Sequence, residues 1–183
     1  MRIIAGLFKG HKLVSFDEDH IRPTTDRVKE SVFNILSPMI EGARVLDLFS
    51  GTGNLGFEAF SRGAMSVDMV EKSPRSIAII KKNMAHLKVT AGIEIHREDA
   101  IDYVRGYTGK AFDLVLIDPP FPLKICETIL KDISGSKVAD SNTRIVIEHS
   151  RKESLPKQIL SLTAIDTRSY GDKLVAFYEK RDL

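Results

Sequence analysis

The tetrapeptide Asp118-Pro119-Pro120-Phe121 places a carboxylate, two rigid prolines and an aromatic ring directly after an apolar run. The carboxylate of Asp118 can accept a hydrogen bond from an amine. The carbonyl of Pro119 can point toward the same amine, because proline fixes φ and lacks a backbone N–H. The ring of Phe121 offers a flat face for stacking. These residues suit methylation of the exocyclic amine of a nucleobase, whose delocalised lone pair must be held in line with a methyl donor. A strand-ending turn with a core phenylalanine is the structural alternative.

A second stretch, residues 44–56, predicts a strand, a glycine turn and the start of a helix. Its apolar run is interrupted by Asp47, and Gly51 and Gly53 let the chain turn sharply and let a ligand approach the backbone. The carboxylate of Asp47 suits S-adenosylmethionine, which carries a sulfonium and an ammonium group and has no phosphate. A dinucleotide would bring its pyrophosphate to this turn and gain little from that carboxylate. An ordinary strand-to-helix turn is the alternative.

Two other acidic residues, Glu71 and Asp99, directly follow predicted strands. Glu71 can accept hydrogen bonds from both hydroxyls of a ribose, and Asp99 can accept one from an adenine amino group. A solvated strand end is the alternative for Glu71, and a helix N-cap is the alternative for Asp99. Because parallel strands bring their carboxyl ends to one edge of a sheet, we expect both residues to lie along the same edge as Asp47 and Asp118.

The elements that must position these residues follow from hydrophobic periodicity and turn signals. Strands are predicted at residues 44–49, 67–70, 93–96, 112–117 and 144–148, and helices at 26–39, 55–62, 75–88, after 100, at 123–133 and, weakly, at 156–160. A closing antiparallel hairpin is predicted at 162–169 and 173–180, and a small hairpin with a basic tip at 3–14. The alternation of strands and helices predicts a three-layer, mostly parallel α/β sheet.

Composition narrows the function classes. The 183 residues suit one domain, and the net charge of +2 means that any affinity for nucleic acid must come from local patches. Cys126 is the only cysteine and the five histidines are scattered, so we expect neither a disulfide nor a metal centre. No stretch approaches the roughly 20 apolar residues of a membrane span. We therefore expect a cytoplasmic protein.

Basic side chains cluster in the first 30 residues. Lys9 and Lys12 lie at the tip of the predicted N-terminal hairpin, and Arg22, Arg27 and Lys29 are predicted to form a cationic strip beside the glycine turn. RNA phosphates are a natural partner for such a strip. A hairpin that only covers the core is the alternative for Lys9 and Lys12. A solvated helix face is the alternative for the cationic strip.

These motifs resemble a known group of enzymes. Residues 47–53, DLFSGTG, with the Asp-Pro-Pro-Phe tetrapeptide resemble class I S-adenosylmethionine-dependent amino-methyltransferases. More narrowly, the chain resembles the RsmD family, which methylates N2 of one guanine in bacterial 16S ribosomal RNA. This resemblance runs nearly end to end and rests on residues 2–6 with 9–10, 22–28, 33–34 and 56–64.

The resemblance implies a Rossmann-like class I methyltransferase fold in a single domain, with an N-terminal extension at residues 1–43 and a catalytic core at 44–183. It implies a seven-stranded sheet that ends in an antiparallel hairpin. The implied catalytic residues are Asp118, Pro119 and Phe121; the implied residues for S-adenosylmethionine are Asp47, Phe49, Gly51, Gly53, Glu71, Asp99 and Asp118; and the implied RNA contacts are Lys9, Lys12, Arg22 and Arg27.

The implied partner is 16S rRNA within the 30S subunit or an assembly intermediate. The protein is expected to act as a monomer and to bind neither a metal nor a membrane. Phe121 stands where many members of the family have tyrosine, and His11 stands where arginine is common. Stacking survives the first change, whereas the second weakens the basic hairpin at neutral pH. A DNA adenine-N6 methyltransferase and a non-catalytic RNA-binding assembly factor are the alternatives.

Overall fold

The computed structural model describes residues 1–16, 26–120 and 125–181. Strands and helices alternate along these residues. The helices are α1 Asp26–Leu36, which continues into a 3₁₀ turn at Ser37–Met39, α2 Asn54–Ser61, α3 Pro74–Leu87, α4 Ala100–Gly106 and α5 Cys126–Gly135. The strands are β1 Arg44–Leu48, β2 Ser66–Val70, β3 Ile93–His96, β4 Leu114–Ile117, β5 Arg144–Ser150, β6 Gln158–Ile159, β7 Leu162–Tyr170 and β8 Lys173–Lys180.

The strands form one sheet with the order β3-β2-β1-β4-β5-β8-β7-β6. Strands β1 to β5 are parallel to their neighbours, whereas β8, β7 and β6 join in antiparallel fashion. The chain builds outward from β1 in one direction through β2 and β3, then returns to the other side of β1 with β4. The order therefore reverses between β1 and β4, which is where open α/β sheets bind ligands outside the carboxyl ends of their strands.

Alternating side chains of the central strands pack into two separate cores. Val45 of β1 and Leu116 of β4 belong to a core with α1, α2 and α3, whereas Leu46, Leu48 and Ile117 belong to the core with α4 and α5. Both faces of the parallel strands are covered, so these strands read as nearly continuous apolar runs. The predicted three-layer α/β class is confirmed.

The strand count differs from the prediction of seven because the sheet has eight strands. The extra strand is β6, at the place where a weak helix was expected. Pro156 has no N–H to donate there, and Ile159 is buried and pairs with Leu162 across a tight turn in which Leu160 adopts φ 52°. The apolar spacing that predicted a helix turn belongs instead to a short antiparallel edge strand.

The N-terminal residues form the predicted small hairpin. Arg2 and Lys12 make an antiparallel bridge, and the Ile3 N–H donates to the His11 carbonyl at 2.9 Å. This hairpin packs on α2 so closely that a Cβ on Gly6, whose φ is +83°, would lie 1.8 Å from the carbonyl oxygen of Ser61. Only glycine fits this contact. The boundary between an extension and a core at residues 43 and 44 stays a prediction.

Within the described ranges, the helices are all too short or too polar to cross a bilayer.

Candidate active site

The predicted cofactor turn lies at the carboxyl end of β1 and has a strained backbone. Phe49 has φ 59°, Gly51 has φ 56° and Gly53 has φ 83°. Two hydrogen bonds fix the turn: the Ser50 N–H donates to the carbonyl of Val70 at 3.1 Å, and the Gly53 N–H donates to the carbonyl of Ser50 at 2.7 Å. A positive φ at a non-glycine such as Phe49 costs energy and persists where the surroundings enforce it. The turn is therefore held in one shape before any ligand arrives.

Glu71 holds this turn from the neighbouring strand end. Its Oε2 accepts a hydrogen bond from the Gly51 N–H at 2.8 Å, and its Oε1 accepts one from the Ser73 N–H at 2.8 Å. A carboxylate has about four acceptor positions, so both oxygens keep room for a further donor. The residue predicted to contact a ribose is thus also the residue that connects the turn to the end of β2.

Asp47 lies beneath the turn with only 1% of its surface exposed. Its Oδ2 accepts a hydrogen bond from the Gly56 N–H at 2.9 Å at the start of α2. Burial, followed by the nearby charges of Asp118 and Glu71, raises the pKa of Asp47 to about 8, against the opposing hydrogen bond from Gly56. Asp47 therefore holds a proton at neutral pH, and a cationic ligand above it would favour the loss of that proton.

Asp99 caps helix α4, which confirms the structural alternative considered for it. Its Oδ1 accepts a hydrogen bond from the Ile101 N–H at 3.0 Å, and its Oδ2 accepts one from the Lys72 ammonium at 3.1 Å. Partial desolvation raises the pKa of Asp99, but the hydrogen bonds from Lys72 and Ile101 outweigh it and the pKa is lowered. Asp99 is therefore a stable carboxylate at neutral pH, and its predicted adenine contact stays a prediction.

Asp118 and Pro119 follow β4 directly, next to the turn. Leu48 pairs with Ile117 in the sheet, so Asp118 lies beside Phe49 across the order reversal. Asp118 is half-buried and Pro119 is buried. Phe121, the predicted stacking residue, lies outside the described residues. The two acceptors predicted for an amine are thus next to the predicted cofactor turn.

The predicted basic strip is only partly present. Arg27 of the strip is exposed, as are Lys9 and Lys12 of the hairpin, and Arg22 lies outside the described residues. The placement of Lys29 in this strip is wrong, because Lys29 is 1% exposed. Its position three and four residues before Val32 and Phe33 puts it on the buried face of α1.

Lys29 instead connects three parts of the molecule. Its ammonium donates to the carbonyl of Arg2 at 2.6 Å and to Asn54 Oδ1 at 2.8 Å, and lies 3.3 Å from Glu58 Oε2. Desolvation lowers the pKa of Lys29, while the Glu58 carboxylate opposes that change. Glu58 also accepts hydrogen bonds from the Ile4 and Ala5 N–H groups at 2.8 and 3.2 Å. The N-terminal hairpin, α1 and the start of α2 therefore share one buried charge pair.

Asn83 makes a similar connection from α3 and was not predicted. Its Oδ1 accepts a hydrogen bond from the Val14 N–H at 2.7 Å, and its Nδ2 donates to the carbonyls of Val14 and Thr52 at 3.1 and 3.2 Å. Asn83 follows Ile80 by three residues on the apolar face of α3, and a polar residue at a core position is the signal that could have identified it. Through Asn83 the basic N-terminal hairpin is connected to the cofactor turn.

Strands β2 and β3 carry a separate polar cluster. Ligand atoms of Asp68, Glu94 and His96 lie within 4.8 Å of one another. Asp68 Oδ2 already lies 3.2 Å from His96 Nε2 and accepts a hydrogen bond from the Tyr103 hydroxyl at 3.3 Å. Internal hydrogen bonds account for this cluster, and the expected absence of a metal stays a prediction.

The site residues fit a cofactor that carries positive charge. The glycines at 51, 53 and 56 have the G-x-G-x-x-G spacing that dinucleotide sites also use, so spacing alone does not discriminate between the two cofactors. The discrimination comes from the negative charges of Asp118 and Glu71, which also raise the pKa of Asp47, and from the Asp47 side chain, which already occupies the Gly56 N–H that a pyrophosphate would use. A cationic group gains from the acidic edge, whereas a pyrophosphate would be repelled by it.

Comparisons with known proteins show the family to which the chain belongs. The family model described as "Conserved hypothetical protein 95" matches residues 1–179. The chain is 36% identical over 157 residues to "Ribosomal RNA small subunit methyltransferase D" of Haemophilus influenzae, covering 85% of this chain and 81% of that protein. It is 35% identical over 183 residues to "Putative rRNA methyltransferase YlbH" of Bacillus subtilis, covering 99% of this chain and 100% of that protein.

A solved structure has the same fold over the whole chain. It is "Putative methyltransferase yhhF" of Escherichia coli, which superposes with a TM-score of 0.88 at 28% identity and covers 100% of this chain and 99% of its own. The chain therefore belongs to the family described as Conserved hypothetical protein 95 and, by its identity to the H. influenzae enzyme over most of both chains, to the RsmD family of methyltransferases.

Proposed function

We propose that this protein uses S-adenosylmethionine to methylate the N2 amine of a guanine in 16S ribosomal RNA. The observation that carries this proposal is the position of Asp118 and Pro119 beside the glycine turn at the order reversal between β1 and β4. The relative named ribosomal RNA small subunit methyltransferase D supports ribosomal RNA as the substrate. The choice of guanine N2 over adenine N6 rests on the sequence resemblance to the RsmD family.

Asp118 and Pro119 act on the amine. The carboxylate of Asp118 and the carbonyl of Pro119 accept the two amine hydrogens, which turns the nitrogen lone pair out of conjugation and toward the methyl group. S-adenosylmethionine, when bound, supplies that methyl group as an electrophile on a sulfonium. As positive charge develops on the nitrogen, the nearby negative charge of Asp118 stabilises it, and either Asp118 or water removes the proton.

The cofactor side of the site is prepared by residues that are already in place. Glu71 holds the turn through Gly51 and presents acceptors toward the strand edge. The turn keeps its positive φ angles at Gly51 and Gly53, so little conformational entropy is lost when a ligand binds. Asp47 adds a titratable acid beneath the turn.

The RNA side of the site depends on local charge. Lys9, Lys12 and Arg27 are exposed, whereas the chain as a whole carries a net charge of only +2. Phosphate contacts from these side chains make affinity fall steeply with salt, and removing one such cation lowers the salt slope by about one. If replacement of all three by glutamine leaves RNA binding unaltered, the proposed RNA surface is in the wrong place.

The catalytic assignment is tested by Asp118→Ala, with Asp102→Ala on the exposed surface of α4 as the matched control. We expect turnover of the Asp118 variant to fall by at least about 100-fold, because it loses the acceptor that orients the amine. Calorimetry should show cofactor affinity within a few-fold of the wild type. Substantial activity in Asp118→Ala would refute the assignment.

The substrate is tested by a tritiated-methyl transfer assay on 30S particles from cells that lack this activity, followed by nucleoside analysis. Label in N2-methylguanosine at a single position of 16S rRNA supports the proposal. Label in N6-methyladenine of added DNA would identify a DNA methyltransferase with the same Asp118 chemistry. Cofactor binding without any label would indicate a non-catalytic assembly factor.

A further inference from the structure

A cavity of about 190 Å³ lies between residues 151–157 and the sheet face of β5, β8 and β7. It exists because the chain crosses from β5 to β6 as an irregular segment without a helix. Leu174, Ala176 and the ring of Tyr178 contribute to its apolar wall. The cavity is smaller than the roughly 300–1,000 Å³ of sites that enclose a whole small molecule. Its size suits one ring system or sugar that belongs to a longer ligand.

The polar groups of the cavity suit a nucleotide. His149 is 3% exposed, and its Nδ1 lies 2.9 Å from the carbonyl of Glu153 and 3.1 Å from that of Ser150. Carbonyls only accept hydrogen bonds, so Nδ1 carries the proton and the other ring nitrogen, Nε2, keeps a lone pair. Arg151 and Lys157 add positive charge from exposed positions on the lining. The cavity thus combines an acceptor for a base N–H with cations for a phosphate.

Glu153 is the one carboxylate among the described lining residues, and it lies near the buried thiol of Cys126. Burial, followed by the carboxylates of Glu153 and Asp118, raises the pKa of that thiol. The thiol of Cys126 is therefore protonated and unreactive at neutral pH.

The sheet register relates the cavity to the end of β4. Ile117, the last residue of β4, pairs with Ile147 of β5, and Pro119 and His149 each follow that last pair by two residues. Adjacent strands lie about 4.8 Å apart. The cavity therefore begins one strand away from the two acceptors assigned to the target amine. A nucleotide next to the target in the same RNA strand can reach it without further bending of the protein.

We propose that this cavity binds a second nucleotide of the RNA substrate, adjacent to the methylated one. This inference rests on the proposed function. The base stacks on the apolar wall that includes Tyr178 and donates an N–H to His149, while Arg151 and Lys157 contact its phosphate. Single-stranded RNA is recognised by such stacking and edge contacts, and each stacked base contributes about 1–3 kcal/mol.

Two variants test the cavity separately from the chemistry. Ala164→Leu fills it from β7, and Lys157→Gln removes a cation, with Lys82→Gln on the exposed face of α3 as the matched control. Binding is measured as the dissociation constant for 30S particles that lack the modification. We expect about tenfold weaker binding for Ala164→Leu. We expect a salt slope lower by about one for Lys157→Gln. The control should behave like the wild type.

Thermal unfolding and calorimetric cofactor affinity are measured on the same samples, and both should match the wild type in Lys157→Gln. If both cavity variants bind the particles like the wild type, the proposal is overturned even when N2-methylguanosine is the product. If both variants lose RNA affinity while the product is a different methylated nucleoside, the assignment of the cavity as an RNA-binding site is supported and the proposed target is wrong. The two failures are therefore distinguishable.

Discussion

The raised pKa of Asp47 makes stability depend on pH in a direction opposite to that of most carboxylates. Burial raises this pKa from its ordinary value of 3.8 to about 8. Between these two values the folded state holds a proton on Asp47 that the unfolded state has lost. The free energy of unfolding therefore falls as pH rises from 3.8, and the whole contribution is lost once pH passes the folded pKa.

The size of the effect follows from the two pKa values. Each pH unit in this window lowers the free energy of unfolding by about 1.4 kcal/mol, and the slope flattens as pH nears the folded pKa. Between about pH 6 and about pH 8 the integrated loss from Asp47 is roughly 2 kcal/mol. The variant Asp47→Asn keeps an oxygen that can accept from the Gly56 N–H and carries no titratable proton, so it lacks this loss.

Urea unfolding without cofactor, followed by circular dichroism at several pH values, measures the effect. The relevant quantity is the difference between wild type and Asp47→Asn, because every other titrating group cancels in that difference. We expect Asp47→Asn to gain roughly 2 kcal/mol relative to the wild type between about pH 6 and about pH 8, with equal m values. A difference that does not change with pH would refute the assignment of a protonated Asp47.

Three further substitutions test the contacts around the site. Glu71→Gln leaves one acceptor where two N–H groups now donate, and we expect cofactor affinity measured by calorimetry to fall by about tenfold. Lys29→Met leaves Glu58 with Arg62 as its remaining cation and leaves the acceptors on Arg2 and Asn54 without their donor, and chemical denaturation should show a loss of about 3 kcal/mol. Gly6→Ala forces a Cβ against Ser61, whereas Gly10→Ala has a similar φ of +85° and open space. We expect proteolysis of the N-terminal hairpin to accelerate far more in Gly6→Ala than in Gly10→Ala. Equal rates would show that backbone strain, and not the contact with α2, controls its packing.

Several features of the site could be predicted because they depend on residues close together in the chain. An acidic residue directly after a strand is visible in the sequence at Glu71 and Asp118, and one near the end of a strand is visible at Asp47; parallel topology then brings these strand ends to one edge. The capping role of Asp99 was equally visible, because an N-cap bonds to its own helix. The mostly parallel α/β class followed from the alternation of strands and helices, whereas the order of the strands is known only from the structure.

Burial of individual polar residues could not be predicted in the same way. Lys29 was placed on a solvated strip because lysine is rarely buried, yet its partners come from residues 2, 54 and 58. The edge strand at Gln158–Ile159 could not be predicted for the same reason, which is that contacts with other parts of the chain override the local pattern. Its pairing with β7 outweighs the local preference for a helix turn.

The sequence alone therefore determined the α/β class and the acidic residues near the ends of several strands, since both depend on local pattern and short spacing. The tertiary structure decided which side chains hold a proton, form a buried charge pair or line a cavity. Those properties depend on desolvation and on contacts between residues far apart in the chain. Asp47 beside Asp118, Lys29 with Glu58 and the cavity next to His149 exist only once the sheet has been assembled.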